Sequence, residues 1–194
     1  VLFRSLSKAF DSVSHRLLIH KLRSFGINGY LLNWLQDYLT FRSQSVVCGG
    51  VKSSVKPVIS GVPQGSILGP LLFILFINDL PNVTDCDLYL YADDAKVMKP
   101  INNLTDCDKL QQSLDFIVTW SKKWGLTFNP TKCKSVSFSR KKNPIQYNYN
   151  MSGTSIDSVT SFSDLGVLVD TKLEWSEHIN SITNKANQIG RAHV

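Results

Sequence analysis

A chain of 194 residues with 43% hydrophobic content and a formal charge of +6 is long enough to bury a core, which excludes a disordered polymer and points to one domain with a modest bias toward polyanionic partners. Four cysteines, Cys48, Cys86, Cys107 and Cys133, show no Cys-x-x-Cys spacing, which argues against a zinc site or a disulfide framework and for reduced intracellular thiols. The longest apolar run, Ile67 to Ile77, is broken by Gly69 and Pro70 and is too short to span a bilayer, and the chain shows no signal peptide.

The two ends read as foreign. Val1-Leu2-Phe3-Arg4-Ser5 can be encoded by GTGCTCTTCCGATCT, and Ile189-Gly190-Arg191-Ala192-His193-Val194 by ATCGGAAGAGCACACGTC, which together form an inverted repeat of the kind carried by sequencing-library adapters. The expectation is that residues 1–5 and 189–194 are scars, and that residues 6–188 are a natural segment cut within one domain.

In chain order, Leu17, Leu18, Lys21, Leu22 and Phe25 form a helical stripe that stops at Gly26. A second helix follows Asn28-Gly29, with Tyr30, Leu31, Trp34, Leu35, Tyr38 and Leu39 at three-to-four spacing. Gln44 to Cys48 and Val55 to Ile59 predict a hairpin around Gly49-Gly50. Gly61-Val62-Pro63-Gln64-Gly65-Ser66 then leads into an apolar helix from Leu71 to Leu80. Two readings of that loop stand: a backbone that approaches a phosphate or base closely, or a simple strand-to-helix turn.

Leu88 to Val97 runs apolar into Tyr91-Ala92-Asp93-Asp94 and out again, which predicts a hairpin with two carboxylates at its tip. Adjacent acids repel and call for a positive charge. A divalent ion such as Mg²⁺, held by one or two carboxylates and substrate phosphates, supplies one and suits phosphoryl transfer; exposed turn acids are the other reading.

Leu104 to Trp124 reads as an amphipathic helix that buries Leu110, Leu114, Ile117, Val118 and Trp120 and stops at Gly125. The turn Asn129-Pro130-Thr131-Lys132 leads to a strand from Ser135 to Phe138. Lys132 or Lys134 there either reaches a pyrophosphate or is simply solvated. Arg140-Lys141-Lys142 reads as a solvated basic loop. A small β-rich annex follows: Ile145 to Tyr149 pairs with Thr154 to Val159, and Phe162 to Val169 folds around Gly166. Glu177 to Gln188 predicts a last helix.

Taken in order, Ser7-Lys8-Ala9-Phe10-Asp11, Gly61 to Ser66, Tyr91-Ala92-Asp93-Asp94, the Asn129/Lys132 turn and Leu165-Gly166-Val167 resemble the reverse transcriptase domain of non-LTR, LINE-type retrotransposons over the whole natural segment. The resemblance implies an α+β right-hand polymerase palm, an antiparallel sheet backed by helices, with partial fingers and the β annex. It implies an RNA-directed DNA polymerase that uses two Mg²⁺ ions, or Mn²⁺ in their place, with an RNA template, a DNA primer and a dNTP as partners and no membrane. The parent element protein is expected in nucleus and cytoplasm.

By the same resemblance, Asp93 and Asp94 are the catalytic and metal-binding pair, and Ala9, Phe10, Gln64, Gly65 and Lys132 are nucleotide-binding. Phe10 excludes a ribose 2′-hydroxyl, and Leu165, Gly166 and Val167 form the primer grip. The family's third metal carboxylate falls where this chain has Ser5, and the strand leading into that position is expected to be missing. Truncation at the adapter junction and a decayed element copy are competing explanations; the inverted repeat favours truncation. A non-catalytic nucleic-acid-binding palm and another reverse transcriptase, such as a group II intron protein, are the alternative functions.

Overall fold

In a computed structural model of the chain, residues 1–6 and 8–191 are described; Ser7 of the first motif and residues 192–194 of the expected C-terminal scar lie outside them. The chain begins with strand β1 (Leu2–Ser5), followed by helices α1 (Ala9–Ser12), α2 (His15–Ser24) and α3 (Gly29–Leu39). The strand expected to be missing before position 5 is therefore present. Leu2-Phe3-Arg4-Ser5 adopts it, whatever its coding origin, because Leu2 inserts into the core and the backbone completes two ladders, with β7 (Asp94–Met98) on one side and β8 (Lys134–Ser135) on the other.

Two nested, solvent-exposed ladders come next. Strand β2 (Ser43–Gln44) pairs with β5 (Lys56–Pro57), and β3 (Val47–Cys48) pairs with β4 (Val51–Lys52). The single expected strand over residues 44–48 is thus two, because the hydroxyl of Ser53 accepts from the Val46 amide at 2.9 Å between the ladders. Helix α4 (Leu68–Ile77) starts and ends about three residues earlier than its pattern predicts, since Pro70 is accommodated in the first turn, where its missing amide breaks no intrahelical bond. A short 3-10 turn (Leu80–Val83) leads into β6 (Asp87–Tyr91) and β7, which form the expected acidic hairpin.

Helix α5 (Leu104–Trp124) has the bounds its periodicity predicts. Its start is a reciprocal cap: the Asn103 side chain accepts from the Asp106 amide at 3.0 Å, and the Asp106 carboxylate accepts from the amides of Asn102 and Asn103. The Asn102 amide, ahead of the Asn103 amide, holds the Asp106 carboxyl below its ordinary range. Gly125, at φ +70°, ends the helix.

After a 3-10 turn (Pro130–Lys132) and β8 come β9 (Asn150–Met151), β10 (Thr154–Ser155), β11 (Asp157–Ser158), β12 (Ser161–Asp164), β13 (Val167–Asp170) and helix α6 (Ser176–Arg191). The expected strand over residues 135–138 shrinks to β8, and the expected pairing of 145–149 with 154–159 contracts to its turn end, the ladder β9 with β10 and the bond from the Ile156 amide to the Tyr149 carbonyl at 2.8 Å. Burial of Tyr149, Met151 and Ile156 sets that register and sends β11 away to pair with β8 in parallel. The first half of the annex is therefore stitched into the main sheet through β11.

The main sheet has the order β11-β8-β1-β7-β6 and is antiparallel except at the β11 edge. Its inward residues, among them Leu2, Ala95 and Val97, meet a core built from Leu72, Phe73 and Phe76 of α4 and Leu110, Leu114 and Ile117 of α5. At the centre of the helical layer is a buried lysine. The Lys21 ammonium donates to Asp79 Oδ1 and to the Phe76 carbonyl, both at 2.5 Å, and lies 3.7 Å from the centre of the Trp124 ring. The Trp120 indole donates to the same Asp79 oxygen at 3.1 Å. Lys21 thereby joins α2 to α4 and α5. Among the described residues, no helix is long and apolar enough to cross a membrane.

Candidate active site

The β6–β7 hairpin closes with Tyr91 opposite Asp94, which leaves Ala92 and Asp93 to make the turn. Ala92 sits at φ +50°, a left-handed conformation that an L side chain rarely adopts, so local strain is concentrated at the tip. The Asp93 carbonyl accepts from the Leu6 amide at 3.1 Å, and β1 runs alongside so that Ser5 is the register partner of Asp94.

The loop of residues 61–66 is clamped against α1. The Gly61 amide donates to the Val13 carbonyl and the Val62 amide to the Phe10 carbonyl, each at 2.8 Å. A Cβ on Gly61 would lie 2.9 Å from both Asp11 Cα and the Phe10 carbonyl oxygen, and φ is +89°, so only glycine fits. The His15 Nε2–H donates to the Gly61 carbonyl at 2.7 Å. Ser66 uses all its capacity: its hydroxyl donates to the Pro63 carbonyl at 2.7 Å and accepts from the Gly69 amide and the Tyr38 hydroxyl, both at 2.9 Å. A Cβ on Gly69 would meet the Pro63 oxygen at 2.2 Å, which explains a glycine inside an otherwise apolar helix.

These constraints hold Gln64 over α1. Its Nε2 donates to Asp11 Oδ1 at 2.8 Å, and because a carboxylate only accepts, the bond fixes which end of the amide faces Asp11. Phe10 stacks on Phe73 of α4 with ring centroids 4.4 Å apart and planes 25° apart, so the ring is backed by the core while its other side stays open. On the opposite wall, Asn129 Oδ1 accepts from the Thr131 amide and hydroxyl, and this turn projects Lys132.

The outcome is a cleft of about 390 Å³ lined by Leu6, Lys8, Ala9, Phe10, Asp11, Gln64, Asp93 and Lys132. Five of the predicted site residues, Ala9, Phe10, Gln64, Asp93 and Lys132, therefore meet at one place although the sequence spreads them over more than 120 positions. Gly65, at φ +78°, flanks Gln64 outside the lining, and Asp94 stands behind Asp93 on β7. Leu165, Gly166 and Val167 form the tip and outgoing strand of the β12–β13 hairpin, also outside the lining, with Leu165 at φ +48° and Gly166 at φ +86°.

Lys8 and Asp11 received no individual role from sequence reasoning. Their place beside Ala9 and Phe10 was the available signal. With them the walls carry two acids and two lysines, a balance suited to phosphates bridged by cations. A second hollow of about 340 Å³, bordered by Met98, Lys99, Ile101 and Tyr147 at the far end of the β6–β7 ladder, contains none of the predicted site residues. Among the described residues, no three His, Cys, Asp or Glu side chains gather to hold an ion by themselves. The adjacent carboxylates of Asp93 and Asp94 fit the kind of Mg²⁺ site that uses one or two carboxylates and is completed by water and substrate phosphates.

A sequence profile described as reverse transcriptase (RNA-dependent DNA polymerase) matches residues 1–180. The chain is 35% identical over 190 residues to the RNA-directed DNA polymerase from mobile element jockey of Drosophila melanogaster, covering 93% of this chain and 20% of that protein. It is 32% identical over 189 residues to the jockey polymerase of Drosophila funebris, again covering 93% of this chain and 20% of that protein. It is 28% identical over 145 residues to the retrovirus-related Pol polyprotein from type-1 retrotransposable element R2 of Popillia japonica, covering 68% of this chain and 23% of that protein. The chain thus spans about a fifth of the length of its jockey relatives.

Among solved structures, telomerase from Candida albicans in complex with a TWJ fragment of telomeric RNA superposes with a TM-score of 0.56 at 15% identity, covering 89% of this chain and 30% of that one, which shows a shared fold. From the profile match over residues 1–180 and the jockey relatives it follows that the chain belongs to the reverse transcriptase (RNA-dependent DNA polymerase) family, in its non-LTR retrotransposon branch.

Proposed function

We propose that this chain is the palm of an RNA-directed DNA polymerase, active within a longer polypeptide, in which the 3′-hydroxyl of a DNA primer attacks the α-phosphate of a dNTP on an RNA template and pyrophosphate leaves. The observation that carries this reading is the convergence of Phe10, Gln64, Asp93 and Lys132, from four separate segments, on one cleft. The reverse transcriptase family uses divalent metal ions. Here Asp93, as principal ligand, and Asp94 would hold Mg²⁺ or Mn²⁺, two ions in the complete enzyme, which when bound stabilise charge on the attacking and leaving oxygens.

The chain's own side chains orient and select. Gln64, with its amino end committed to Asp11, turns its carbonyl end toward the nucleotide and template, and Gly65 lets the backbone approach them. Lys132 offsets the charge that builds on the leaving pyrophosphate. Phe10 fills the volume a 2′-hydroxyl needs, with Ala9 beside it leaving room for the sugar. Leu165, Gly166 and Val167 hold the primer. Work on nuclear target DNA by a protein made in the cytoplasm would place the parent in both compartments. A second reading, a catalytically inactive nucleic-acid-binding palm, is favoured by one observation: Ser5 stands opposite Asp94 where the family carries a third carboxylate.

The test is nucleotide selection on a primed RNA template, in a chain extended to the length of its relatives. Phe10→Val should raise ribonucleotide incorporation relative to deoxyribonucleotide by about 10- to 200-fold, the range set by a small change in pocket volume. Because half of the Phe10 ring is backed by Phe73, Phe10→Ala should also cost about 2 kcal/mol of stability, less than a fully buried phenylalanine. Unchanged discrimination with activity retained would remove Phe10 from sugar selection. Absence of any synthesis by the unaltered extended chain would contradict the polymerase reading.

A further inference from the structure

Strand β7 buries Ala95 and Val97 in the core, so Asp94, Lys96 and Met98 share its opposite, open face. Lys96 is the register partner of Tyr89, which is exposed on that face. The Lys96 ammonium reaches Asp164 Oδ2 at 2.5 Å, with side chains only 21% and 24% exposed. Asp164 is the last residue of β12, immediately before the left-handed pair Leu165 and Gly166. The ion pair thus joins two hairpins 68 positions apart in sequence, one side chain along the strand from Asp94.

Strands β12 and β13 form a two-stranded sheet of their own, outside the five-stranded one. A lone two-stranded hairpin is marginal in water and takes its place from what it is fastened to. One fastening is behind it, where the Leu168 amide donates to His178 Nδ1 of α6 at 3.3 Å. Another is in front. Among the described residues, the ion pairs are Lys21–Asp79, Lys96–Asp164 and Lys134–Asp157, and the second is the one that joins the β12–β13 hairpin to the acidic hairpin. An exposed pair in such a place would be worth little. This one is short and largely shielded, so it fixes direction as well as proximity.

We propose that Lys96 and Asp164 are positioning residues: their ion pair sets the distance between the β12–β13 hairpin and the acidic hairpin, and through it the seat of the primer 3′ end relative to Asp93 and Asp94. The primer half of this inference rests on the polymerase reading; the tether half does not.

Two measurements separate them. In the 194-residue chain, with Cys48→Ser removing the one exposed thiol, spin labels on Gln112→Cys of α5 and Val167→Cys of β13 report the hairpin's distance from the palm by double electron–electron resonance. The distribution should be narrow with the native pair, broad in Lys96→Glu and in Asp164→Lys, and narrow again when the two are combined. In the extended polymerase, each single reversal should raise the KM for primer about tenfold with the KM for dNTP unchanged, and the combined swap should restore it. Narrow distributions in both single variants would overturn the tether. Broad distributions with unchanged primer KM would overturn the primer role. If the unaltered extended chain makes no DNA, the polymerase reading and the primer role fall together, and the distance measurement still decides the tether.

Discussion

Lys21→Ala should lower the unfolding free energy by about 3–5 kcal/mol, the upper part of the range for truncating a long buried side chain, because the Phe76 carbonyl loses its partner as well. The Lys21 side chain is 2% exposed, and it serves the Asp79 carboxylate, the Phe76 carbonyl at the end of α4 and the face of Trp124 at once. Truncation leaves a cavity among three helices and strands the carbonyl. Lys21→Met keeps most of the volume, and Asp79, about a third exposed, can turn to water, so its cost should be smaller, about 1–3 kcal/mol. Urea denaturation followed by tryptophan fluorescence reads both. A Lys21→Ala variant within about 0.5 kcal/mol of the parent, the range of neutral surface changes, would show that this node does not hold the helical layer together.

The same lysine gives a pH signature. Burial pushes its pKa down, against the opposing pull of Asp79. A base with a depressed folded pKa binds fewer protons folded than unfolded, so its contribution to stability rises as pH climbs from the folded value toward the ordinary lysine value near 10.5. The methionine variant should lack that rise.

Ser5→Asp should strengthen Mn²⁺ binding at the acidic hairpin by about tenfold or more, because it adds a carboxylate at the position whose backbone pairs with Asp94. Electron paramagnetic resonance of free Mn²⁺ measures it without any need for catalysis. The variant should nonetheless leave the 194-residue chain unable to make DNA, since a restored ligand does not supply the four-fifths of the jockey proteins' length that lies beyond the matched region. Unchanged affinity would mean that β1 does not present position 5 to the ion. Robust synthesis by the unaltered chain with Ser5 in place would show that a third carboxylate is dispensable.

What could be read from the sequence was set by how local the cause was. Helices α2, α3 and α5 follow from side-chain period and from Asn and Gly at their ends, and the acidic hairpin from an apolar run interrupted by two acids. Lys21 fell on the apolar stripe of α2, but its reason is Asp79, 58 positions away, which no period can show. The parallel pairing of β11 with β8 depends on where Tyr149 and Ile156 bury, and the split of residues 43–57 into two ladders on the Val46–Ser53 contact, where the serine hydroxyl takes the Val46 amide and the serine amide serves the Val46 carbonyl. Five of the residues singled out by motif line one cleft. Their supports, the Asp11 carboxylate under Gln64 and the Phe73 ring under Phe10, emerge only when α1 is seen wedged between α4 and the Gly61 loop. Strand β1 was missed for a different reason: a pentapeptide judged foreign by its coding potential still supplies Leu2 to the core and a backbone that pairs on both sides.

The decisive measurement is primer extension on an RNA template by the chain extended to the length of its relatives, with Asp93 and with Asp93→Asn. The substitution removes one negative charge and almost no volume, so the fold, read by circular dichroism and thermal unfolding, and the affinity for primed template should both be kept. DNA synthesis in Mg²⁺ should fall by at least about a thousandfold, as for removal of a group on which transition-state charge depends. Synthesis within a few-fold of the unaltered enzyme, with the fold intact, would show that the cleft at Phe10, Gln64, Asp93 and Lys132 is not where the nucleotide is joined.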